Sequence, residues 1–124
     1  MRGKRVLIVE DNFLIAESLS TVLLEQGCLI EGPVRTADEA CRIIAERALD
    51  GALLDLQLRE SHGSDVAEFL RAKGVPFVLV TGYLAEHLKP DLREAPYISK
   101  PANEAQLVKI AVATFTRSDA TRTG

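Results

Sequence analysis

The chain has 124 residues, 47% hydrophobic and 27% charged, which fits one soluble domain with a real core. A formal net charge of −3 gives no electrostatic reason to expect nucleic acid as a partner. The only two cysteines, Cys28 and Cys41, read as reduced cytosolic thiols, and the apolar run after the basic start at Arg2, Lys4 and Arg5 is too short for a signal core or a membrane span.

Val6-Leu7-Ile8-Val9 is a continuous apolar, β-branched-rich run and predicts a first strand, ended abruptly by Glu10-Asp11-Asn12. Ile15, Leu19, Val22 and Leu23 then recur with the period of an amphipathic helix. Asp11 or Asn12 is its natural N-cap, and Gly27 sits where a left-handed cap would end it. Capping accounts for one acceptor beside the helix, not for two adjacent carboxylates. From Cys28 to Val34 the residues predict a shorter, weaker strand, near a sheet edge because of Pro33. Thr36 with Glu39 fits a capping box and opens a helix through about Arg47, with Ala40, Ile43 and Ile44 as its buried stripe.

Asp50-Gly51 turns the chain into Ala52-Leu53-Leu54-Asp55-Leu56, a run expected to be buried on both faces of a sheet. An ionised carboxylate is costly there, so Asp55 either faces solvent at the strand end or belongs to a site. After a polar loop, Ser64-Asp65 is expected to cap a helix carrying Val66, Ala67, Phe69 and Leu70. Val75 to Val80 predicts the next strand, ended by Thr81-Gly82-Tyr83. Leu84 to Glu94 is helical only in part, because Pro90 interrupts it. Tyr97-Ile98-Ser99 is a last short strand before Lys100-Pro101. Asn103 starts a final helix with Leu107, Ile110, Ala111 and Phe115 inside, and from Arg117 a polar, frayed tail is expected.

Strands alternating with helical segments predict an α/β fold, a parallel sheet with helices on both faces, of which the flavodoxin-like doubly wound order is one form. In such sheets reactive groups gather at the carboxyl ends of the strands. Glu10-Asp11, Asp55, Thr81 and Lys100 stand at four such ends. Three clustered carboxylates need a countercharge, which a Mg²⁺ ion and the Lys100 ammonium would supply. An aspartate beside a metal, an ammonium and a hydroxyl is equipped to form an aspartyl phosphate.

With these residues in place the chain resembles the receiver domain of two-component response regulators, a CheY-like (βα)5 fold with strand order 2-1-3-4-5. The matching features are Glu10-Asp11, Asp55, Thr81-Gly82, Tyr97 three residues before Lys100-Pro101, and Gly63 eight residues after Asp55. Thr81-Gly82-Tyr83 and the proline-interrupted segment are also similar to a group of alphaproteobacterial single-domain receivers. The resemblance implies a receiver domain over 1–117 with a polar tail over 118–124, leaving no room for an output domain. It implies that Asp55 accepts the phosphoryl group, and that Glu10, Asp11, Asp55 and the Gln57 main-chain carbonyl hold Mg²⁺. Lys100 would contact the phosphoryl oxygens, Thr81 would move to them, and Tyr97 would be an aromatic switch. The implied protein is cytoplasmic and a signalling protein rather than an enzyme. Its phosphodonor would be a sensor histidine kinase or a histidine phosphotransfer protein, and it would contact neither nucleic acid nor membrane. Two departures bear on output geometry, Arg59 where many members have proline and the break at Pro90.

Three other readings compete. A dehalogenase-type Mg²⁺-dependent aspartyl phosphatase would place a second aspartate two residues after the first, where this chain has Gln57. In a flavodoxin-type carrier a phosphate-cradling loop would follow the first strand, where Glu10-Asp11 would repel the ligand. A docking module that is never phosphorylated should lack an essential group, yet all are present. A phosphate sink and a signalling receiver are not separated by the sequence. His62 and His87 are read as exposed structural residues, and the cysteines as packing.

Overall fold

The computed structural model describes residues 1–58, 63–82, 90–92 and 94–116. Five strands, β1 (Arg5–Val9), β2 (Leu29–Val34), β3 (Gly51–Leu54), β4 (Phe77–Thr81) and β5 (Tyr97–Ser99), form one parallel sheet in the order β2-β1-β3-β4-β5. Among the described residues four α-helices connect or follow them: α1 (Phe13–Glu25), α2 (Ala37–Glu46), α3 (Gly63–Ala72) and α4 (Glu104–Phe115). This is the flavodoxin-like doubly wound arrangement.

The apolar runs explain the layering. Successive strand residues point to opposite faces. Leu7, Val9, Leu54 and Leu79 therefore pack with Ala40, Ile44, Val66 and Leu70 of α2 and α3 on one side. Val6, Ile8, Leu53, Val78 and Val80 pack with Leu19, Leu23, Leu107 and Phe115 of α1 and α4 on the other. β1, β3 and β4 lie inside the sheet and are covered on both faces, which is why their sequences are continuous rather than alternating.

The helix ends follow the capping chemistry. Asn12 is the N-cap of α1, its Oδ1 accepting from the Ile15 N–H at 3.1 Å, so of the two candidates Asp11 is not the cap. Gly27 follows the helix with φ +84°, a left-handed conformation that favours glycine. Thr36 Oγ1 accepts from Glu39 N at 3.2 Å, and Asn103 Oδ1 from Gln106 N at 3.0 Å.

Three boundaries differ from the sequence reading. β2 is an edge strand, as Pro33 suggested, but with six residues it is the longest described strand rather than a short one. Its register against β1 shifts between Leu7 and Val9, which lets the edge absorb Gly32-Pro33 without ending. β4 starts at Phe77 because the Val75 N–H is already taken by the Leu70 carbonyl at 2.9 Å and Pro76 has none to give. α3 opens at Gly63, one residue before the expected cap, so Ser64 and Asp65 lie in its first turn, where an acidic side chain suits the helix dipole.

In the segment after β4, Pro90–Leu92 forms a 3₁₀ turn whose Leu92 is buried in the core. The expected partial helix from Leu84 otherwise lies largely outside the described residues, as do Arg59, His62, Tyr83, His87 and the tail from Arg117.

Candidate functional site

The carboxyl ends of β1 and β3 are neighbours, and in this strand order the chain leaves them in opposite directions. That divergence opens a crevice in a doubly wound sheet. Asp55 is the first residue beyond β3 and is only 2% exposed. Its N–H donates to the Val9 carbonyl at 3.0 Å, so the ladder between β1 and β3 fixes its backbone. Asp55 Oδ1 accepts from Gln57 N at 2.9 Å, and Oδ2 accepts from Lys100 Nζ at 3.0 Å. The aspartate is therefore a buried member of a site, and the solvent-facing alternative is excluded.

Glu10 is the first residue beyond β1 and is 1% exposed, its N–H donating to the Val34 carbonyl at 2.9 Å. Oε2 accepts from Asn12 N at 3.1 Å. Oε1 lies 2.7 Å from Lys100 Nζ, yet it has no bond of hydrogen-bond geometry among the described residues. The two observations agree if the ammonium is close but aimed mainly at Asp55. Carboxylate oxygens of Glu10, Asp11 and Asp55 all lie within 4.8 Å of one another.

Burial pushes the Glu10 carboxyl above its ordinary range; Lys100 counteracts this and Asp55 reinforces it. Burial by itself would lower Lys100, but its close pairing with the Glu10 and Asp55 carboxylates outweighs that and leaves its pKa raised, so the ammonium stays charged. Three carboxylates against one ammonium leave a formal excess of negative charge. With that excess, this set of closely spaced carboxylate oxygens, two of the three residues buried, fits a small hard divalent cation such as Mg²⁺.

Thr81 is the last residue of β4, wholly buried, and its carbonyl accepts from Lys100 N at 3.0 Å. Gly82 faces Gln57, whose Oε1 would lie 3.6 Å from a Cβ placed there. Glu10, Asp11, Asp55, Gln57, Thr81 and Lys100 are thus gathered at one edge of the sheet. Tyr97 is not in that group: it pairs with Leu79, whereas Ser99 pairs with Thr81, and it is 37% exposed on the edge strand β5.

Two contributions escape a reading of the sequence. One is the Asn12 N–H on Glu10, since a cap signal says nothing about the donor on the same residue. The other is the reason Gly63 must be glycine: a Cβ there would fall 2.5 Å from the Asp55 carbonyl oxygen and 2.7 Å from Leu56 Cα. Both obstacles are backbone, so Gly63→Ala must displace the loop that carries the aspartate. We expect a destabilisation of about 1–3 kcal/mol, read as a lower urea midpoint. An unchanged midpoint would show that the loop has slack.

Residues 6–112 match the family model of the response regulator receiver domain. The DNA-binding response regulator MtrA of Mycobacterium tuberculosis is 32% identical over 120 residues, covering 94% of this chain and 52% of that protein. The phyllosphere-induced regulator PhyR of Methylorubrum extorquens is 34% identical over 122 residues, covering 94% and 46%. The chain spans about half the length of the curated relatives it matches. The solution structure of SdrG from Sphingomonas melonis Fr1 is similar with a TM-score of 0.79 and 32% identity, covering 90% of this chain and 95% of that one. With a match over most of its length and a CheY-like fold, the chain belongs to the receiver-domain family of response regulators.

Proposed function

We propose that this protein carries a receiver domain over 1–117 that takes a phosphoryl group onto Asp55 from a histidine kinase or histidine phosphotransfer protein. The observation that carries the reading is the buried cluster itself. One carboxylate, Asp55, is held by two donors and flanked by two further carboxylates that fit a divalent cation. In the transfer an Asp55 carboxylate oxygen attacks phosphorus as the bond from phosphorus to the donor histidine nitrogen breaks. Gln57 N–H and Lys100 orient that carboxylate beforehand. Lys100, already charged and 3.0 Å away, is placed to neutralise the phosphoryl oxygens.

Glu10, Asp11, Asp55 and the Gln57 main-chain carbonyl would hold Mg²⁺, which when bound supplies charge neutralisation at the phosphoryl oxygens. Thr81 is the hydroxyl at the strand end next to this group, and Tyr97 the aromatic residue on the adjoining strand that would report the change. The protein would act in the cytoplasm, through a protein contact and without nucleic acid or membrane. Among the described residues no helix is long and apolar enough to cross a membrane. Thr81-Gly82-Tyr83 supports placing the domain with the alphaproteobacterial receivers that share this motif.

Asp11→Asn is expected to weaken Mg²⁺ binding at least several-fold in calorimetry, because a reluctantly dehydrated ion loses one of few anionic ligands. Equal titrations of variant and wild type would remove Asp11 from the metal site. The function itself is tested by profiling phosphotransfer from the histidine kinases of the source organism. One rapid, Mg²⁺-dependent donor is expected. Transfer from none of them would leave the receiver fold serving as a docking module.

A further inference from the structure

We infer that Asn12 is a positioning residue for the metal site, setting the orientation of the Glu10 carboxylate through its own helix cap. The inference rests on the reading of Glu10 as a metal ligand. Asn12 makes three hydrogen bonds; its carbonyl accepts from Ala16 N at 2.9 Å, and the other two run in opposite directions. Its side-chain Oδ1 accepts from Ile15 N at 3.1 Å, at the start of α1. Its main-chain N–H donates back to Glu10 Oε2 at 3.1 Å. The side-chain bond holds Asn12 at φ −85° and ψ 114°, extended rather than helical. With the side chain tied to the helix and the backbone so fixed, the N–H has one direction available, toward Glu10.

The consequence falls on the other carboxylate oxygen. Glu10 is buried, with Oε2 held by the Asn12 N–H and Oε1 beside the Lys100 ammonium, so the Asn12 N–H is one of two contacts that set the plane of the carboxylate. Turned this way, Oε1 lies 2.7 Å from Lys100 Nζ, and the carboxylate comes within 4.8 Å of oxygens of Asp11 and Asp55. An oxygen left unsatisfied in a buried place normally costs stability. Here the Lys100 charge offsets that cost, and the cap holds the carboxylate in the plane from which it would also reach a cation beside Asp11 and Asp55. Asn12 touches neither the cation nor the reacting atoms, so its effect passes through Glu10.

The prediction separates positioning from ordinary capping. Asn12→Ala removes the cap, and Asn12→Ser restores one, since serine caps about as well as asparagine. In Mg²⁺ titration of the full chain by calorimetry, Asn12→Ala should weaken binding about five-fold, the equivalent of one lost cap. Asn12→Ser should bind within about two-fold of wild type, since its hydroxyl accepts the same N–H. In the metal-free protein the amide resonances of Asn12 and Ile15 should move in the alanine variant and return toward their original positions in the serine variant. Glu10→Gln is the control for the metal reading and should bind far more weakly than any of these. Undiminished Mg²⁺ affinity in Asn12→Ala, with Glu10→Gln impaired, would overturn the positioning role alone. So would a serine variant as weak as the alanine one. Undiminished affinity in Glu10→Gln would overturn the metal assignment, and the inference with it.

Discussion

Asp55→Asn is expected to abolish phosphorylation by a small phosphodonor in the presence of Mg²⁺, while wild type gains one acid-stable, base-labile group. The amide keeps the size of the side chain but not its nucleophilic oxygen pair or its charge. It also loses the charge-assisted bond from Lys100, now 3.0 Å from Asp55 Oδ2. The fold should survive, because removing one of three mutually repelling carboxylates relieves repulsion in a buried cluster. Intact-mass measurement with peptide mapping checks both halves. A phosphoryl group that persists in the variant, or maps to His62 or His87, would refute Asp55 as the acceptor.

The largest effect on stability is expected from Phe115→Ala. Phe115 closes α4, is fully buried, and lies against Gly51 so closely that any Cβ there would overlap its ring. The ring thus fills the space that glycine leaves at the start of β3, and both residues are explained together. Deleting it opens a cavity and should cost about 3–5 kcal/mol, a large part of a total that is typically about 5–15. In thermal melts this corresponds to a drop in Tm of roughly 10–20 °C. Phe13→Ala is the matched control: the same ring, 76% exposed at the start of α1, should change stability by less than about 0.5 kcal/mol. Equal effects of the two substitutions would contradict the packing described.

The difference between these two phenylalanines marks how far the sequence could be read. Phe115 falls in register with Leu107 and Ala111 on a helical stripe, so its burial is legible from spacing. Its dependence on Gly51 is not, since the two are far apart in the chain. The strands were legible for the same reason as the stripe: Val6 to Val9, Ala52 to Leu54 and Phe77 to Val80 are apolar throughout, and only a sheet covered on both faces has use for that. β2 was misjudged because an edge strand is half exposed and carries a weak pattern, while a register shift let it continue through Gly32-Pro33.

The sequence by itself determined the order of elements, the caps at Thr36 and Asn103, and the set of polar residues stranded at the ends of apolar runs, and it narrowed the first cap to Asp11 or Asn12. These are local matters of period, propensity and side-chain hydrogen bonding, written within a few residues of one another. Only the tertiary structure decided that Glu10, Asp11 and Asp55 share a space 4.8 Å across and that one ammonium, Lys100, serves two of them. It also decided that Tyr97 stands apart from that group and that Gly63 must be small to clear the Asp55 backbone. The physical reason is that charge and close packing act through space. Strand order and register, which bring β1, β3 and the end of β5 to one edge, set those distances, and no spacing along the chain encodes them.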